Sequence, residues 1–138
     1  MNGPWSTGHT ADEVIANFAL RPHPFDGWFA PVDTDRLAPV RFHYLIRAGE
    51  LAPWHATGSQ LVLTHIDGAP LTVTTIDNAG DYHNRVLQSG KQSSVLVEAD
   101  WWRTWESLGH WSLLIASVET REDFLLWSLA PETVTDRR

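Results

Sequence analysis

The chain has 138 residues, 43% hydrophobic and 20% charged, a composition of one globular domain with a single core rather than of a disordered chain. Ten basic against seventeen acidic residues leave a formal charge of −7 with no Lys/Arg cluster, so nucleic acid is not an expected partner. The absence of cysteine excludes disulfide and thiolate chemistry, and the longest apolar runs are strand-sized, short of the roughly twenty residues a membrane helix needs.

Met1 to Thr10 lacks the basic start and apolar run of a signal peptide, which makes the cytoplasm the expected compartment. Thr10 followed by Ala11, Asp12 and Glu13 reads as a capping box, and a helix is predicted from about Ala11 to Leu20. Val14, Ile15 and Phe18 share one face at helical spacing, and Arg21-Pro22 closes the segment. Beyond it, Gly and Pro recur at short intervals, and strands are predicted between them. These lie near Arg41–Arg47, Gln60–Ile66, Leu71–Ile76, Asn84–Leu87, Ser94–Val97, Trp101–Glu106, Trp111–Val118 and Phe124–Leu129. Asp67-Gly68 suits a tight hairpin. Many short strands without alternating helices predict an antiparallel sandwich or barrel, with residues 1–138 as one domain and a core of about 11–130.

Four blocks carry a family resemblance. Leu20-Arg21-Pro22-His23-Pro24-Phe25-Asp26-Gly27-Trp28-Phe29 resembles the leucine, PHP, glycine-glycine, aromatic-phenylalanine signature that opens a small group of single-domain cupins, with Asp26 in place of one glycine. Tyr44-Leu45-Ile46-Arg47-Ala48-Gly49-Glu50, then Trp54-His55 and Gly68-Ala69-Pro70-Leu71, is similar to the next block. Val97-Glu98-Ala99-Asp100-Trp101-Trp102-Arg103 corresponds to the family's Val-Pro-Ala-Gly-x-Trp-Gln run, and Glu122-Asp123-Phe124-Leu125 to its closing segment. The resemblance implies an all-β cupin jelly roll with a short N-terminal helix, and a homodimer.

Gly49, His55, Thr57, Leu61 and Gly68 keep the spacing of the metal-binding cupin motif, yet only His55 is a ligand of the expected type. Borderline cations want imidazole nitrogen and carboxylate oxygen. Thr57 is a poor donor, Leu61 is none, and Arg103 stands where the second motif would place a histidine. A guanidinium there opposes a cation, so no metal and no other cofactor is expected.

The implied cavity wall is His55, Thr57, Leu61, His65 and Arg103, to which parity adds Trp101 and Trp105. A mixed lining of this kind suits a small organic ligand. His55, Arg103 and His65 are the catalytic candidates: an imidazole to move a proton and a guanidinium to steady negative charge. Thr57, Leu61, Trp101, Trp105, His43 and Tyr44 are the substrate-binding candidates, with His43 and Tyr44 alternating on a strand that could turn either face inward. His23 reads as part of a buried turn that stitches the N-terminal segment to the barrel, and the tryptophans read singly as barrel filling. The expected function is a metal-independent enzyme acting on a largely apolar metabolite, as isomerase, epimerase, lyase or cyclase, in a setting of specialised-metabolite biosynthesis. The competing readings are a non-catalytic small-molecule binding protein and a residual metal-dependent oxygenase.

Overall fold

The computed structural model describes residues 9–32, 40–90 and 92–131. Helix α1 (Ala11–Phe18) starts at the predicted capping box: the Glu13 backbone N–H donates to Thr10 Oγ1, and the Thr10 N–H donates to the Glu13 carboxylate. It ends two residues sooner than predicted, because Ala19 turns into the left-handed region at φ 54° and the Leu20 N–H closes back on Ile15 O.

The chain then runs through β1 (Arg21–Pro22), β2 (Trp28–Pro31), β3 (Val40–Arg47), β4 (His55–Ala56), β5 (Leu61–Gly68), β6 (Leu71–Ile76), β7 (Tyr82–Leu87), β8 (Ser94–Val97), β9 (Trp102–Ser107), β10 (Trp111–Val118), helix α2 (Arg121–Leu125) and β11 (Ser128–Leu129). Two antiparallel sheets form, ordered β1-β2-β3-β10-β5-β8 and β11-β4-β9-β6-β7. From β3 onward nearly every connection crosses between them, the β6–β7 hairpin being the exception, which is the jelly-roll pattern expected.

The main core lies between the sheets, where Phe42, Tyr44, Ile46, Leu61, Leu63, Leu71, Val73, Trp105 and Leu114 pack together. The alternation of β3 sends Phe42, Tyr44 and Ile46 into that core and Leu45 to the opposite face. There α1 seals the six-stranded sheet with Val14, over Leu45, Trp111 and Leu113. Burying a side chain such as Val14 completely is worth about 1.5–3 kcal/mol, enough to hold a two-turn helix that could not persist alone.

Two sequence readings need correction. Phe124 and Leu125 are not strand: Thr120 caps α2 through the Asp123 N–H, acidic Glu122 and Asp123 fill its first turn, and only Ser128–Leu129 is extended. Asp67-Gly68 is not a hairpin turn, since β5 and β6 belong to different sheets. Gly68 sits at φ 83°, and a Cβ there would stand 2.5 Å from the Trp111 ring, so the corner is shaped by close packing against β10. The short strands β1, β2 and β4 carry too few residues to show a period of two.

Candidate functional site

β4 is only two residues long, but it is pinned on both sides: His55 pairs with Arg103 of β9 and with Leu129 of β11. This aims His55 into the barrel, where it is 0% exposed. Its ring lies flat on Trp127, centroids 3.7 Å apart at 9°, and meets Trp105 edge-on at 4.8 Å. Nδ1 stands 2.8 Å from the Pro53 carbonyl. A carbonyl only accepts, so Nδ1 carries the hydrogen and Nε2 holds the lone pair. That Nε2 is buried without a hydrogen-bond partner. Burial pushes the imidazole pKa well below its ordinary value, the Pro53 bond opposes, and the charges of Arg103 and His23 add to the depression. His55 is therefore a neutral base at pH 7.

Trp127 also packs on His23, at 4.4 Å, and on Phe25, at 5.4 Å and 12°. His23 adopts the opposite tautomer: Nδ1 accepts the Phe25 N–H at 3.1 Å, and Nε2 donates to the Phe124 carbonyl at 2.6 Å. Burial lowers its pKa to about 4 against the help of the Phe124 bond. Tyr44 donates to the Asp26 carbonyl at 3.0 Å and accepts the Trp105 indole N–H at 3.2 Å, and burial lifts its phenol well above the ordinary value. The centre of the barrel is thus an aromatic cluster in which the His23 ring nitrogens and the Tyr44 hydroxyl are hydrogen-bonded and His55 Nε2 is not.

Arg103 is fully buried beside it. Its guanidinium donates to Thr57 Oγ1 at 2.7 Å, to the Glu98 backbone carbonyl at 2.8 Å and to the Trp101 carbonyl at 2.9 Å, while Thr57 donates onward to the Ser59 carbonyl. No carboxylate among the described residues forms an ion pair with it. Burial lowers its pKa to about 10, with Asp100 opposing, so the group stays cationic. Its bonds also fix the 98–101 turn, in which Asp100 takes a left-handed φ of 67° and donates its N–H to Thr57 O.

The sequence candidates thus divide. His55, Tyr44 and Trp105 meet in one cluster, Thr57 and Arg103 are bonded to each other, and Leu61 packs in the core around them. His65 is buried but turned to the β5–β6 corner, with Nε2 on Ala69 O at 2.8 Å and Nδ1 on Ser89 Oγ at 3.3 Å. His43 lies on the opposite face of β3 from Tyr44, against Phe18 of α1. Trp101 is half-buried and lines a separate cleft. Trp127, His23 and Phe124 complete the centre and were not among the site candidates. The PHP stretch was the available signal for His23, whereas Trp127 sits in a segment without periodicity.

Donor chemistry decides whether a cupin metal fits these residues. The four motif positions hold one imidazole, a hydroxyl bonded to a guanidinium, an isobutyl group and the guanidinium itself. Among the described residues no three His, Cys, Asp or Glu side chains converge as a metal-holding group. This set does not fit a divalent cation.

The fold has clear likenesses among solved structures. A protein from Shewanella oneidensis is 18% identical with a TM-score of 0.80, covering 92% of this chain and 88% of that one. A hypothetical protein from Leishmania major is 17% identical with a TM-score of 0.73, covering 83% and 85%. The oxalate decarboxylase of Lactobacillus farciminis is 14% identical with a TM-score of 0.65, covering 89% of this chain but 39% of its own. No curated protein matches the sequence. Among the described residues no helix is long and apolar enough to cross a membrane. A family model described as Cupin superfamily (DUF985) matches residues 12–120, most of the chain, and the chain therefore belongs to this family of cupins.

Proposed function

We propose that this cupin acts on a small, largely apolar organic molecule inside its barrel as a metal-independent enzyme of the isomerase, lyase or cyclase type, with His55 moving the proton. The observation that carries the reading is His55 Nε2: a buried lone pair without a partner, on a ring whose tautomer is fixed by Pro53. An unpaired acceptor in a dry site costs about 1–3 kcal/mol, a cost that a substrate C–H or O–H would relieve. The aromatic walls supply the apolar contact, and the Arg103 cation provides a field that favours developing negative charge.

The test is deuterium incorporation. A panel of small enolisable ketones and acids is incubated in deuterated water with wild-type protein and with His55→Asn, which keeps a donor for Pro53 and removes the base. The expected result is exchange of an acidic C–H by wild type and a loss of at least about a hundredfold in the variant, the usual scale for a general base. Binding without exchange, equal in both proteins, would overturn the enzymatic reading in favour of a binding protein. Exchange equal in both would remove His55 from the mechanism.

A further inference from the structure

The inner face of the five-stranded sheet carries a continuous row of register partners, His55, Arg103, Thr75 and His83, across β4, β9, β6 and β7. Its last member lies in the open. There the sheets part between the edge strands β7 and β8, leaving a cleft of about 380 Å³ lined by Val73, Thr75, Arg85, Val95, Glu98 and Trp101, together with His83. That volume lies at the small end of the range for ligand pockets, roughly 300–1,000 Å³.

Three features make this cleft a built site. The first is an aromatic wall in a fixed pose. Trp101 lies parallel to His83 at 13°, centroids 5.9 Å apart, and His83 Nε2 is bonded to Asp77 at 2.8 Å. Asp77 is itself held, accepting the N–H groups of Ala79 and Asp81 at 2.9 Å each. The second is a cation: Arg85, two residues from His83 on the same face of β7, is exposed and is bonded to no carboxylate among the described residues. The third is an anion on the other wall, Glu98, just past β8, whose backbone carbonyl is anchored by Arg103. Opposite charges thus line one cleft together with an indole, between the edge strands of the two sheets.

We propose that this cleft binds a zwitterionic aromatic amino acid: its ring over Trp101, its carboxylate on the Arg85 guanidinium and its ammonium on Glu98. Guanidinium and carboxylate match in a bidentate geometry, and a ring offset-stacks on an indole. A plain aromatic acid satisfies Arg85 but meets Glu98 with like charge, and a plain aromatic amine does the reverse. The reading stands apart from the His55 chemistry, because Arg103 and Thr75 lie between the two places.

The experiment compares L-tryptophan, tryptamine and indolepropionate by calorimetry, while the Trp101 indole N–H resonance is followed on the intact protein. L-tryptophan is expected to bind saturably and to shift that resonance, with each one-charge analogue weaker by about tenfold. Arg85→Gln should abolish the advantage of tryptophan over tryptamine, and Glu98→Gln its advantage over indolepropionate. His55→Asn should leave all three affinities unchanged. Both charged residues are exposed, so their variants should melt as wild type does. No saturation at millimolar concentration, no preference for the zwitterion, or insensitivity to Arg85→Gln would each overturn the proposal. Loss of binding in His55→Asn with Arg85→Gln unaffected would overturn it too, by moving the molecule to the barrel centre.

Discussion

The row that runs from His55 to His83 has an imidazole beside an indole at each end, and the two ends behave as different materials. At the barrel centre His55 lies flush on Trp127, without access to water, and its charged form is suppressed by burial. At the cleft His83 lies parallel to Trp101, exposed, and shares a hydrogen bond with the carboxylate of Asp77. The same pair of residue types gives a neutral base in one place and a polar floor in the other. Residue type does not set the chemistry: the presence of a second aromatic layer does, and only the centre has one, from Trp105, His23 and Phe25.

Removing that layer should erase the contrast. Trp127→Ala takes away a buried indole touching both histidines and should destabilise the fold by about 3–5 kcal/mol, measured by chemical denaturation, whereas Trp101→Ala at the half-buried cleft should cost far less. A cost equal at both sites would mean that the centre is not the better packed of the two.

Acid should attack the centre next. His23 falls to about 4 in the folded state from an ordinary 6.5, and burial also holds His55 well below its ordinary value, so the unfolded chain binds these protons first as pH drops. The stability they hold is intact above about pH 7 and is lost as pH falls through 6.5 toward 4. His23 alone accounts for on the order of 3 kcal/mol of that loss once pH has fallen below 4. Urea midpoints at pH 7 and pH 5 check it, and His23→Gln should flatten the difference.

The boundary between the two regions is Arg103. Thr57→Val leaves one arm of a buried guanidinium without its acceptor and should cost about 1.5–3 kcal/mol, while Thr57→Ser should restore most of it. Smallest is Asp100→Gly. The left-handed φ of 67° strains a residue with a Cβ, so glycine should be neutral or stabilising by up to about 1 kcal/mol in thermal melts. A clear loss there would show that the aspartate side chain contributes more than its backbone costs.

Much of the fold was legible because apolar, β-branched runs between Gly and Pro declare themselves as strands. Leu71–Ile76, Ser94–Val97 and Trp111–Val118 match the observed strands end to end, and the capping box at Thr10 locates α1. The site was legible only in part. Motif spacing pointed to His55, Thr57 and Arg103, which are buried, while parity pointed to Trp105, which lies in the centre, and to Trp101, which lines the separate cleft. Parity also grouped His65 with them, and that residue does share the buried face of Leu61 and Leu63, but it sits at the β5–β6 corner, where its ring nitrogens go to Ala69 and Ser89. Trp127 escaped because a turn of helix and a two-residue strand bring it home, and neither has a period. His43 and Tyr44 could not be separated by sequence, since α1 gives both faces of β3 something to pack against.

The bond from His23 to the Phe124 carbonyl joins residues 101 positions apart. Contacts of that span form after the local hairpins, because closing so long a loop must be compensated by structure already in place. The barrel centre should therefore be the last part of the molecule to assemble. During refolding the sheets should gain their hydrogen bonds before the environment of Trp127 becomes native, and on the ribosome His55 should stay accessible until the segment around residue 127 has emerged.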